Sequence, residues 1–173
     1  MKSVETTQKN VFDPEAPAVR KLIRNILHPV KFRFFQWKRL PSLAFWRVRV
    51  RKCTPDETAV TIPYRWLTQN PFRSTYFAAL SGAAELSTGL LAMVAIESRG
   101  AISMLITGME GEFIKKARTT TTFICREGSQ VRAAVQRAID TGEGQTIRVK
   151  TEGYDSDDQL VARFYFTWSF KVK

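Results

Sequence analysis

The chain has 173 residues, 44% of them hydrophobic, with a mean hydropathy of −0.21, enough for one packed core and too apolar for a disordered chain. Its net charge of +11 is uneven: residues 1–52 carry 13 Lys/Arg against 3 Asp/Glu, a net of +10, and residues 53–173 carry 14 against 13, a net of +1. That distribution excludes a uniformly basic nucleic-acid binder and points to one local anionic contact.

Residues 1–13 read as a flexible lead without the apolar run of a secretory leader, so a cytoplasmic setting is expected. Asp13-Pro14-Glu15 reads as a helix start, with Asp13 as N-cap and Pro14 in the first turn. That helix carries Val19, Leu22, Ile23, Ile26 and Leu27 on one stripe. Pro29 interrupts it, and a second turn or helix holds Phe32, Phe34, Phe35 and Trp37. Seven Lys/Arg lie between Arg20 and Arg39. Such a segment either rests on an anionic membrane surface through residues 19–39, making the protein peripheral, or packs over a cleft with its charges solvated.

Period-two alternation begins at Leu43, predicting a first strand in which Phe45, Arg47, Arg49 and Arg51 alternate with Ala44, Trp46, Val48 and Val50. Thr58–Trp66 reads as its hairpin partner, with Pro63 demoting the far end. Next comes an apolar stretch expected to be a helix over about residues 74–98, interrupted only by Glu85. Ile102–Met109 reads as a strand buried on both faces, Gly108 and Gly111 as a tight turn, and Glu112–Arg126 as a long strand. A short helix is expected over about residues 128–140, with Val131, Ala134, Val135, Ala138 and Ile139 on its buried stripe. Two more strands follow, Gln145–Glu152 and a last one in which Leu160, Ala162, Phe164, Phe166, Trp168 and Phe170 alternate with Val161, Arg163, Tyr165, Thr167, Ser169 and Lys171.

Six strands of this kind can form one antiparallel sheet, and the apolar helix is the element it would cover. The same helix is long enough to span a bilayer, but a carboxylate at its centre is costly there. The expectation is a single α+β domain over residues 1–173: a basic helical extension at 1–39 and a core at 40–173. Cys53 and Cys125 stand apart with no histidine nearby, so neither a metal site, a cofactor site nor a disulfide framework is expected.

This layout resembles the hotdog fold, a six-stranded antiparallel sheet wrapped around a long helix, and in particular the phenylacetic-acid-pathway type of acyl-CoA thioesterase. That family's pattern is Asn, two residues, Gly, two residues, His-Gly-Gly, then an acid fifteen residues after the Asn. Here Glu85 follows Asn70 by fifteen, Arg73 stands at the first Gly, and Tyr76-Phe77-Ala78 stands at His-Gly-Gly. Lys116-Ala117-Arg118 resembles the family's basic segment in a later strand. The resemblance covers about residues 40–173 and is closest to an uncharacterised bacterial branch. It implies a homodimer or dimer of dimers, joined through Ile102–Met109, with sites between subunits.

What it implies for chemistry is hydrolysis of an acyl-CoA or related acyl thioester. Glu85 would be base or nucleophile, and the Phe77 N–H at the positive helix end the oxyanion donor. Asn70 would hold water or orient the loop, and Thr88 would bond a water. Arg73, Tyr76, Lys115, Lys116 and Arg118 are the expected substrate-binding residues. Two structural readings compete: Asn70-Pro71 as an ordinary turn, and Glu85 as a carboxylate paired with an N-terminal arginine. A functional alternative is a non-catalytic binder of fatty acyl chains or lipid. The lone His28 lies far from residues 70–85 and there is no G-x-S-x-G, which disfavours dehydratase and serine-hydrolase chemistry.

Overall fold

The computed structural model describes residues 11–173, so the lead expected over residues 1–13 lies, up to residue 10, outside the described residues. Three helices come first: α1 (Pro17–Leu27), α2 (Pro29–Arg39) and α3 (Pro41–Phe45). Each has proline in its first turn, where the missing N–H is not needed and the fixed φ suits the helix. The expected start at Pro14 is therefore corrected to Pro17. Asp13 accepts from the Glu15 N–H at 2.8 Å and closes a turn ahead of the helix instead of capping it.

The strand expected from Leu43 is also corrected. Pro41 opens a helical turn that buries Leu43 and Ala44, and Arg47 then takes a left-handed φ of 59° to redirect the chain. The first strand, β1 (Arg49–Cys53), pairs with β2 (Thr58–Ile62), which stops before Pro63. Then come α4 (Phe77–Ile96), β3 (Ile102–Phe113), β4 (Thr121–Cys125), α5 (Gly128–Thr141), β5 (Gln145–Tyr154) and β6 (Leu160–Val172).

Gly108 and Gly111 do not make the predicted turn. β3 runs straight through them, slipping register between Ile106 and Gly108 as it pairs with β6. A Cβ on Gly111 would lie 2.7 Å from the Phe164 ring, so this glycine admits a neighbouring aromatic. The expected long strand over Glu112–Arg126 is accordingly two pieces, the end of β3 and the separate β4, joined by a loop. Nor is β3 buried on both faces: its residues alternate in exposure up to Gly108 and are exposed beyond it, and among the described residues β6 is its only sheet neighbour.

The six strands form one antiparallel sheet in the order β1-β2-β4-β5-β6-β3. α4 lies across its inner face with α5 beside it, which is the α+β hotdog arrangement expected. Although α4 is long and apolar enough to cross a membrane, 67% of its most apolar eighteen-residue segment is buried inside the fold. Leu86, Leu90, Leu91 and Val94 are among its buried side chains, and each contributes about 1.5–3 kcal/mol through loss of water contact. Its polar positions are matched to the sheet. Trp168 Nε1 donates to Thr88 Oγ1 at 3.0 Å, Thr58 Oγ1 donates to the Ser87 carbonyl at 2.6 Å, and the Ser87 and Thr151 hydroxyls bond at 2.8 Å.

The entrance to α4 is set by a knotted loop. Asn70 Oδ1 accepts from the Phe72 and Ser74 N–H groups at 3.0 and 3.2 Å and from Ser74 Oγ at 3.2 Å. Thr75 donates through both N–H and hydroxyl to the Ala117 carbonyl. These bonds hold Ser74 and Thr75 out of the helix, so α4 begins at Phe77 and not near Ser74. Within the loop Arg73 is forced to a left-handed φ of 57°. That geometry costs a side-chain-bearing residue about 1–2 kcal/mol, offset in a glycine variant by about 0.4–1 kcal/mol of extra unfolded-state entropy. Arg73→Gly is therefore expected to raise stability by up to about 1 kcal/mol in urea unfolding; a loss of stability would mean that the arginine side chain supports the loop.

Candidate functional site

α4 leaves one strip outside the sheet: Phe77, Ala78, Ser81, Gly82 and Glu85. It faces the inner side of β3, where Ile106, Met109 and Phe113 lie. Two pockets sit along this seam. One, of about 600 Å³, lies at the helix entrance between Asn70, Phe72, Tyr76, Phe77, Phe113 and Lys116. The other, of about 520 Å³, holds Glu85 among Leu43, Trp46, Ser81, Met109 and Phe166.

Gly82 lets α3 close the second pocket. A Cβ there would lie 3.0 Å from Leu43 Cδ2 and 3.2 Å from Trp46 Cζ3. The Glu85 carboxylate therefore sits beneath an aliphatic and an indole side chain. Burial raises its pKa above the ordinary 4.5, and desolvation is the only cause. Among the described residues no hydrogen bond or ion pair reaches this carboxylate. Arg39 lines the same pocket without bonding it, so the pairing with an N-terminal arginine is not formed.

The other predicted residues divide. Asn70, Tyr76, Phe77, Lys115 and Lys116 come together at the entrance pocket, while Glu85 does not join them. Asn70 spends its side-chain oxygen on the loop, the role of an Asx turn. Thr88 lines neither pocket: its hydroxyl donates to the Glu85 carbonyl at 3.0 Å and accepts from Trp168, so its part is structural. Lys115 is held by Asp155 and Gln159 beside the pocket. Arg73 and Arg118 are exposed and line neither pocket. The basic segment Lys116-Ala117-Arg118 is loop and not strand, because Ala117 is tied to Thr75. Leu43, Trp46, Met109 and Phe166 were not foreseen as a lining; Gly82 inside an apolar helix was the available signal of close approach.

Other chemistries find little support. Burial pushes the Cys53 and Cys125 thiols up to about 12, so neither is a thiolate nucleophile near neutral pH. Among the described residues no three His, Cys, Asp or Glu side chains gather to hold a metal ion.

No curated protein matches the sequence. Solved structures do. A Pseudomonas aeruginosa protein of unknown function, named a probable thioesterase, superposes with a TM-score of 0.69 at 16% identity, covering 86% of this chain and 99% of its own. A thioesterase from Haemophilus influenzae gives 0.56 at 12% identity, covering 75% and 81%. A mutant of another Pseudomonas aeruginosa thioesterase gives 0.60 at 13% identity, covering 91% and 96%. These likenesses establish the hotdog fold. In sequence, residues 32–170 match the model described as Domain of unknown function (DUF4442), and the chain belongs to that family.

Proposed function

We propose that this protein hydrolyses an acyl-CoA or related acyl thioester, with Glu85 as base or nucleophile. The observation that carries the reading is an unpaired carboxylate under an apolar lid, opening on a seam fit for an acyl chain. As base, Glu85 takes a proton from water as the water oxygen adds to the thioester carbonyl carbon. The tetrahedral oxyanion then expels the thiolate, which receives that proton as the C–S bond breaks. The Ala79 and Leu80 N–H groups are taken by the Tyr76 carbonyl, which leaves those of Phe77 and Ala78 at the positive end of α4 suited to the oxyanion.

Glu85 lies eight residues into α4, roughly 12 Å along the axis from Phe77. One thioester carbonyl cannot sit within hydrogen-bond reach of both in a single chain. A homodimer resolves this when Glu85 of one protomer meets the helix entrance of its partner. β3 supports that assembly: it is an open edge twelve residues long, with Leu105, Met109 and Phe113 exposed. In sedimentation analysis the wild type is expected to be dimeric. Leu105→Glu with Met109→Glu is expected to give a folded monomer with turnover lost; a fully active monomer would overturn the shared site.

Glu85→Gln is expected to cut turnover on a panel of acyl-CoA chain lengths by roughly 100-fold or more. The wild-type rate should rise with pH as Glu85 loses its proton above 4.5. The sign for stability is opposite. With the folded pKa raised, the native state holds the proton longer, so stability falls as pH climbs from about 4.5 through the folded value. Glu85→Gln should therefore melt higher than wild type at pH 7 and match it below pH 4.5. Unchanged turnover in the variant removes Glu85 from the role. No turnover on any chain length, with lipid co-purifying in native mass spectrometry, would replace hydrolysis by acyl binding.

We also infer that the α1–α2 segment rests on an anionic membrane surface. Val30, Phe34 and Trp37 are 71%, 71% and 54% exposed on one face of α2, opposite its buried Phe32 and Gln36. Lys31 and Lys38 flank that stripe on one side and Arg33 on the other, the layout of an interfacial helix. Flotation with vesicles of phosphatidylcholine and phosphatidylserine should carry the wild type upward, and Phe34→Ser with Trp37→Ser should remain at the bottom. Flotation of both alike would refute a role for the stripe.

A further inference from the structure

Between α2 and β1 lies a cavity of about 530 Å³ lined by Arg33, Arg47, Arg49 and Arg51. From residue 16 to residue 55 the sequence has eleven Lys/Arg and no Asp or Glu. Among the described residues none of the four arginines makes an ion pair. Arg51 spends only its Nε, on Thr61 Oγ1 at 3.3 Å. Four guanidinium groups on one cavity repel each other, and nothing in the described chain neutralises them.

The cavity is built and not incidental. Gln36, 1% exposed, donates to the Val48 carbonyl at 3.0 Å and pins α2 to the start of β1, fixing the gap between them. Arg47 holds its place at a left-handed φ of 59°, where glycine or asparagine would cost less. Guanidinium groups suit a phosphate, whose non-bridging oxygens accept paired N–H donors.

Arg33 joins this cavity to the apolar stripe of α2. It lines the cavity, and its guanidinium carbon lies 5.5 Å from the centre of the Trp37 ring. A phospholipid with acyl chains beside Phe34 and Trp37 would thus present its phosphate to the arginines. We propose that the Arg33–Arg47–Arg49–Arg51 cavity is a binding site for the phosphate of an anionic phospholipid headgroup. This deepens the membrane reading above and rests on it.

The test uses the full chain and vesicles of phosphatidylcholine alone or with phosphatidic acid or phosphatidylserine. Arg49→Gln with Arg51→Gln is expected to weaken binding to the anionic vesicles roughly 100-fold, two charge-assisted contacts being removed. Lys21→Gln with Arg24→Gln removes equal charge from α1 outside this cavity and is expected to cost roughly tenfold or less. Thermal unfolding of each variant checks that the fold is retained. In a soluble arm, glycerol 3-phosphate should raise the wild-type melting temperature and not that of the Arg49/Arg51 variant. Equal losses in the two double variants would leave only diffuse charge and overturn the site. Wild-type binding by the Arg49/Arg51 variant, with loss in the Phe34/Trp37 variant, would overturn the cavity and keep the membrane reading. Protection by the soluble phosphate without vesicle binding would overturn the lipid source, and failure of every anionic vesicle to bind would sink both.

Discussion

The rotation of α4 about its own axis decides what this molecule can do. A helix that is nearly all apolar has no amphipathic preference to set which face meets the sheet. The hydroxyl contacts supply it. Ser87 is bonded to Thr151, its carbonyl receives Thr58, and Thr88 receives the Trp168 indole, three points on three strands that one helix rotation satisfies. Turning the helix would leave these groups buried and unpaired, at about 1–3 kcal/mol each. Phe77, Ser81 and Thr88 share one stripe of α4, so the stripe changes character along its length: Thr88 is buried under the sheet, while Phe77, Ala78, Ser81 and Glu85 nearer the helix entrance are less buried and form the seam.

Glu85 stands out against this background. Most other described polar groups of the core are matched, the Thr121 hydroxyl excepted, whereas this carboxylate lies in a pocket with Leu43 and Trp46 with its ionised form penalised. A protein selected for stability alone would carry glutamine or leucine at this position. An ionisable group that costs stability, in a cleft, on a rigid helix, is the pattern of a functional site rather than of a scaffold. By contrast, the ion pairs on the outer sheet face, Arg148 with Glu110 and Arg163 with Glu112 and Glu152, are partly or fully solvated and contribute little.

What could be read from the sequence followed the length of the pattern. The last strand and α5 each carry many residues of one period, and α4 is an apolar run of 20 residues, so their type and place were legible. The Leu43 region carried a period-two pattern that was accidental: Pro41 opened a helix, and the alternation resumed only after Arg47 turned the chain. Gly108 and Gly111 looked like a turn because glycine serves turns and close approaches alike, and only the Phe164 ring across the strand distinguishes them. Glu85 was found because it breaks a long apolar run. Its lid could not be found, since Trp46, Met109 and Phe166 come from three elements far apart in sequence.

The basic segment shows the same limit from the other side. Its charge was plain in the composition, but composition does not say whether eleven cations are scattered over a solvated face or gathered on one cavity. Two features of the fold bring four of them, Arg33, Arg47, Arg49 and Arg51, to one cavity. The left-handed turn at Arg47 brings β1 back beneath α2, and the Gln36 bond to Val48 holds the two at a fixed separation. α2 is left with both faces committed, Phe32 and Gln36 to the core and Val30, Phe34 and Trp37 to the outside. The outer face and the Glu85 pocket are linked by the short path from Trp37 through Arg39 and Leu40 to Leu43 and Trp46. A membrane contact at α2 would therefore set the lid of the Glu85 pocket near the lipid surface, where long acyl chains are most abundant.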